Sequence, residues 1–274
     1  MFLRFKSITV FAFLILTSLL FVSAQETADK SDKKQKDKKE KKVNKQPSLD
    51  LKNPTAEQLG ELAILVYGNR ENLNQIRKTT VERGKISVVN AEGKTEQANY
   101  ERWILRADSL EKERIRFDQE FPNAKFALIY NGDKIFGLFN ESTFTPREDA
   151  SKAFENQIWR GLETLLRYKE NGSKLELAGR EKIMNVEFFL LDVTDKQNRK
   201  TRFYISTKSF RVMMLEYTEN DTKYRRRFYD YRVAQGTLVP YRTVLLANDK
   251  QVEETEIKTI SFGQKVEENM FQGS

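Results

Sequence analysis

The chain has 274 residues, a formal net charge of +8 and neither cysteine nor histidine. Those two absences exclude disulfides, thiolate nucleophiles, Cys/His zinc sites and every relay that depends on an imidazole. The length suffices for one substantial core.

Residues 1–24 read as a secretory signal. Arg4 and Lys6 form a positive n-region, Ile8 to Phe21 is almost wholly apolar, and Val22-Ser23-Ala24 suits cleavage after Ala24. The competing reading, a membrane anchor, needs about 20 apolar residues, and this run is shorter. No cysteine follows, so lipoprotein tethering is not expected and the protein is expected to be exported to the periplasm. Residues 25–49 hold nine lysines against five acids and nothing to bury, which predicts a disordered linker ahead of a domain spanning 50–274. Signal and linker together account for about +6 of the charge, leaving the domain near neutral, so the sequence pI of 9.4 does not argue for nucleic acid. Membrane-surface contact is an expectation for the lysine segment alone, set against a solvated spacer.

In chain order, Thr55 and Gln58 form a capping box for a helix to Gly68, with Leu59, Leu62, Ala63 and Val66 at helical spacing. A short turn over Glu71–Ile76 leads to strands Thr79–Asn90 and Thr95–Arg106, joined at Glu92-Gly93. Glu113–Phe121 alternates apolar and charged residues, giving one wet face. Ala124–Tyr130 and Lys134–Phe139 follow across Asn131-Gly132-Asp133, a strong hairpin signal. The period then changes. Thr145-Pro146-Arg147-Glu148 reads as a helix start, and Phe154, Ile158, Leu162 and Leu165 mark one helix of roughly six turns ending near Asn171-Gly172. Six or seven strands complete the chain: Lys174–Gly179, Val186–Val193, Lys200–Ser206, Phe210–Thr218, Thr222–Val233, Val239–Ala247 and Val252–Phe262. Connections this short force antiparallel pairing.

Several of these strands are apolar on both faces, notably Val186–Val193 and Val212–Tyr217. Two helices cannot cover both sides of a flat sheet of that width. The expected fold is therefore mainly β (α+β): a strongly curved antiparallel sheet forming an incomplete barrel, with helices covering or plugging its concave face.

The order of these pieces resembles the periplasmic lipoprotein-carrier family with the LolA/LolB-like fold. The resemblance covers nearly all of residues 55–272 and rests on the segments Arg114–Phe139, Phe203–Tyr217, Tyr229–Pro240 and the closing Glu268–Phe271. It implies a half-barrel whose apolar cavity receives acyl chains of lipoproteins or lipid. Separately, a monomer with no cofactor and, given the near-neutral domain, no nucleic-acid partner is expected. By the same resemblance the cavity would be lined by Ile115, Phe117, Phe126, Leu128, Phe188, Leu190, Phe203, Ile205, Met213 and Leu215. A bulge in any strand would flip the downstream set. The lysine segment and the charged strand Lys223–Arg232 fall outside the resemblance. A second reading stays open, an envelope structural or stress-sensing protein with the same fold, a packed interior and a partner-binding surface.

Arg225, Arg226 and Arg227 interleave with tyrosines, and the plainest reading is a cross-strand charge ladder against Glu253, Glu254 and Glu256. An enzyme would need paired carboxylates such as Asp118 with Glu120, or Asp192 with Asp195. The first pair lies on a wet face, where no pKa is driven toward catalytic values, so no catalytic residue is expected.

Overall fold

The computed structural model describes residues 51–273 apart from 91, 133 and 141. The expected signal and linker lie outside the described residues, as does Asp133 of the Asn-Gly-Asp turn. Among the described residues no helix is long and apolar enough to cross a membrane.

Helix α1 (Ala56–Tyr67) starts as its sequence predicts. The Thr55 hydroxyl accepts from the Gln58 backbone N–H at 3.2 Å and the Gln58 side chain accepts from the Thr55 backbone N–H at 2.9 Å. Its buried face is rotated from the expected stripe: Leu59, Ala63, Ile64 and Tyr67 are at most 1% exposed, while Leu62 and Val66 are only half-buried. A second short helix, α2 (Arg70–Ile76), is capped by the Asn69 side chain.

Among the described residues thirteen strands make one antiparallel sheet. The first six are β1 (Thr79–Val89), β2 (Thr95–Leu105), β3 (Arg114–Phe121), β4 (Ala124–Asn131), β5 (Lys134–Phe139) and β6 (Ser142–Phe144). The remaining seven are β7 (Lys174–Ile183), β8 (Val186–Thr194), β9 (Lys200–Ser206), β10 (Val212–Glu219), β11 (Thr222–Ala234), β12 (Thr237–Ala247) and β13 (Lys250–Phe262). Every strand pairs with its chain neighbour except at the centre, where β1 meets β13. The edges are therefore β6 and β7, which follow each other in sequence. Their connection must cross the concave face of the curved, unclosed sheet, and it does so as helices. The three-residue β6 carries no alternation for a sequence reading to find, and the sheet is wider by it than expected.

The connection differs from the single long helix predicted. It breaks into α3 (Glu148–Trp159) and α4 (Leu162–Leu166) at Gly161, where a Cβ would lie 2.6 Å from the Gln157 carbonyl oxygen. Helix α3 begins at Glu148, not at Pro146, and Thr145 does not cap it. Arg147 is the N-cap residue without a side-chain bond, and Glu148 and Asp149 in the first turn complement the helix dipole instead. Gly84 marks a bulge where β1 meets β13, and a Cβ there would meet the Glu256 carbonyl oxygen at 2.1 Å.

Apolar residues gather into three groups. On the concave face, α1 and α4 pack onto β8 to β12 through Phe189, Leu191, Phe203, Ile205, Val212 and Leu215, among others. Across the same face, α3 packs onto β1 to β4 through Ile86, Tyr100, Ile115, Phe117, Leu128 and Tyr130. A smaller group, Phe188, Leu190, Tyr204 and Met214, occupies the opposite face of β8 to β10.

Candidate ligand-binding site

A cavity of ≈ 210 Å³ lies where the two concave clusters meet. Its floor is the centre of the sheet, with Thr80 and Glu82 from β1, Arg102 and Ile104 from β2, Ile115 from β3, Phe228 from β11, and Thr255, Ile257 and Ile260 from β13. Its roof is Phe154, Gln157 and Ile158 of α3 with Gly161, Leu162 and Glu163 at the start of α4. Half of the lining residues are aliphatic or aromatic, and the helix break at Gly161 forms part of the roof.

At one end the lining is charged. Arg77, which closes α2, donates to Glu163 Oε1 at 2.8 Å and to the Leu238 carbonyl at 3.0 Å. Arg106, just past β2, donates to Glu163 Oε2 at 2.8 Å and sits 3.7 Å from Glu113. Glu113 also pairs with Arg167. The side chains of Arg77, Arg106, Arg167 and Glu113 are each at most 10% exposed. Burial works against ionisation of Glu163, but the guanidiniums of Arg106 and Arg77 outweigh it and hold its carboxyl below the usual glutamate range. Burial lowers the Arg77 pKa, and burial together with the neighbouring Arg106 pushes Arg167 down to about 10. Three arginines share Glu113 and Glu163 here, with Asp108 and Glu170 also acting on Arg167.

The roof is held by polar contacts as much as by its apolar residues. Gln157 accepts from Arg102 at 2.9 Å and donates to Glu253 at 3.1 Å, and Glu253 pairs with Arg226 at 2.9 Å. Lys152 reaches Glu219 at 3.3 Å, and Arg199 reaches Glu155 at 3.2 Å while lying over the Trp159 ring. The Arg226–Glu253 pair reaches across β12, which lies between β11 and β13, so the direct cross-strand ladder expected from the sequence does not form. Arg225 turns instead to Glu216 and Asp249, and Glu254 pairs with Arg242.

The structure separates the ten residues singled out from sequence. Ile115, Phe117 and Leu128 sit in the concave cluster under α3, with Phe126 packed against it. Phe203, Ile205 and Leu215 sit in the cluster under α1 and α4. Of the ten, only Ile115 lines the cavity between them. Phe188, Leu190 and Met213 face the other side of the sheet, where their group is completed by Tyr204 and Met214. Strand β8 is apolar at both parities, so its pattern does not say which set points inward, and the inward set is Phe189, Leu191 and Val193. On β10 a register shift between Val212 and Met214 turns both methionines outward. Three of the four paired carboxylates are held by cations: Asp118 by Arg116, Asp192 by Arg202 and Lys200, and Asp195 by Arg199.

The charged end of the cavity went unread in the sequence. Its only local sign is a carboxylate, Glu163, inside the apolar run Leu162–Leu166, together with arginines placed where α2 and β2 end.

No protein-family model and no curated protein matches this chain. Among solved structures it is similar to a LolA superfamily protein from Nitrosomonas europaea, with a TM-score of 0.57 and 14% identity over 80% of this chain and 98% of that one. It is likewise similar to a DUF1329 family protein from Desulfovibrio piger, with a TM-score of 0.55 and 11% identity over 80% and 98% of the two chains. At such identities the likeness is one of fold. The chain has the LolA-like fold: a curved antiparallel sheet, not closed into a barrel, with helices over its concave face.

Proposed function

We propose that this protein is an exported, non-enzymatic carrier that buries an acyl chain in the concave cavity, between the centre of the sheet and the break between α3 and α4. The cavity itself is the observation that carries the reading, because it is walled by Ile104, Ile115, Phe154, Ile158, Phe228 and Ile257. Each methylene moved there from water is worth about 0.8 kcal/mol, so a chain binds without a dedicated polar contact. The volume of ≈ 210 Å³ is below the roughly 300–1,000 Å³ of pockets for drug-sized ligands, which suits one chain rather than several. A long chain displaces α3, whose polar contacts to the strands are remade at small net cost. Export is supported by Arg4, Lys6 and the apolar run Ile8 to Phe21.

The test is uptake of the neutral dye Nile red by the purified protein, alongside mass spectrometry of lipid extracted from it. Wild type is expected to brighten the dye. Ile115→Glu, which places a charge on the cavity wall, is expected to abolish the signal. Met213→Glu, on the opposite face, is expected to leave it unchanged. Absence of both dye binding and copurifying lipid in folded wild type refutes the carrier.

A further inference from the structure

The charged end of the cavity holds donors that no described residue uses. Arg77 Nε, Arg106 Nε and Thr80 Oγ1 are buried and have no hydrogen-bond partner among the described residues, and all three residues line the cavity. The side chains of Arg77 and Arg106 are 7% and 10% exposed, and Thr80 is 4% exposed. A buried donor without a partner costs roughly 1–3 kcal/mol, more when it belongs to a charged group. Three such groups in one place call for an acceptor.

The charge balance says what kind. Around the cavity the cations are Arg77, Arg102, Arg106, Arg167 and Arg226, and the carboxylates paired with them are Glu82, Glu113, Glu163 and Glu253. Arg77 and Arg106 share the single Glu163 carboxylate, whereas Arg167 is also offset by Asp108 and Glu170. Arg77 and Arg106 each bind a different oxygen of the same Glu163 carboxylate, so their guanidiniums lie within a few ångströms of each other. A compact anion with two or three oxygens would bridge them. The apolar walls begin immediately beyond, with Leu110, Phe262, Val239 and Ile260 also in the lining.

We propose that the cavity takes a single-chain amphiphile head first, its carboxylate or phosphate-monoester head accepting from Arg77, Arg106 and Thr80 while its chain runs under α3. This rests on the carrier reading above and adds a requirement for charge that an esterified or amide-linked acyl chain does not meet. Such chains still enter by burial alone, only more weakly.

The test is displacement of Nile red from the full chain at neutral pH, with all lipids below their aggregation limits. Hydrogen bonds to charged groups predict that oleate displaces the dye at about tenfold lower concentration than methyl oleate or oleyl alcohol. Adding 1-oleoyl lysophosphatidate distinguishes the two heads: whichever of it and oleate is stronger names the preferred one. Acetate and inorganic phosphate, lacking a chain, are expected to displace nothing at the same concentrations. Arg106→Lys keeps a charge opposite Glu163 but removes Nε, and the acid-over-ester preference is expected to fall to about threefold. Thr80→Val, which removes one buried hydroxyl and leaves every ion pair intact, serves where Arg106→Lys unfolds, and is expected to halve the preference. Equal displacement by acid and ester would mean that water satisfies these donors. It overturns the inference and leaves the carrier standing. Failure of every lipid to displace the dye overturns both.

Discussion

The two halves of the concave face are built on different principles. Under α1 and α4 the sheet is dry and filled: Leu59, Ala63, Tyr67, Leu165, Phe203, Ile205 and Leu215 are all fully buried. Under α3 the helix contributes Phe154, Ile158 and Trp159 to an apolar cluster, but it is anchored to the strands by Gln157, Lys152, Glu155 and Asn156, whose partners are charged or polar. The first half is a core in the ordinary sense, and the second is a cover over space. Apolar contact is short-ranged and loses most of its value when a gap opens. Polar side chains on flexible stems exchange protein for water partners at little net cost, so the half that opens in the proposed carrier is the half tied down by them.

That contrast is open to attack, beginning with the largest expected effect. Phe203→Ala removes a ring from the dry half and is expected to cost about 4 kcal/mol in urea unfolding. Ile158→Ala, on α3 itself, removes a side chain already facing the cavity and is expected to cost nearer 2 kcal/mol. If the second loss equals the first, the two halves are not different. Between them falls Glu163→Gln, expected to cost about 3 kcal/mol, because it leaves Arg77 and Arg106 buried without their shared carboxylate.

The same contact sharpens the picture through pH. The folded pKa of Glu163 is lowered from 4.5, so as pH falls the unfolded chain takes up this proton first. The stability that Glu163 contributes is therefore complete above about 4.5 and is lost as pH drops through the lowered folded value. The gap in unfolding midpoint between wild type and Glu163→Gln is expected to hold from pH 7 to 5 and to narrow below 4. A gap that is constant down to pH 3 would place Glu163 outside the network. The smallest effect is Thr80→Val without ligand, expected to be neutral or to stabilise by up to about 1 kcal/mol, since it deletes a buried hydroxyl with no partner among the described residues. Destabilisation beyond 1 kcal/mol would show that the hydroxyl has a structural partner.

The strands were legible because turn chemistry punctuates them. Asn220-Asp221 and Asn248-Asp249 adopt positive φ at both residues, the backbone that short hairpins demand. The hairpin at Met184-Asn185 uses the same backbone with a methionine in it, and the sequence reading accordingly ended β7 early, at Gly179. The break between α3 and α4 was hidden because the apolar spacing of Phe154, Ile158, Leu162 and Leu165 continues across it, and a lone glycine in a periodic stretch reads as tolerated.

The amino-acid order by itself determined the antiparallel pairing, through connections too short for any other, and the curvature, through strands apolar on both faces with only two helical stretches to cover them. It also excluded imidazole and thiol chemistry outright. Only the tertiary structure decided which parity of β8 and β10 turns inward, since a period of two has no sign when both faces are apolar and one bulge reverses it. It alone brought Arg77, Arg106, Glu113 and Glu163 together at the end of a cavity. Those residues come from the ends of α2 and β2, the start of β3 and the α4 turn, and ion pairs between such distant points leave no periodic trace in a sequence.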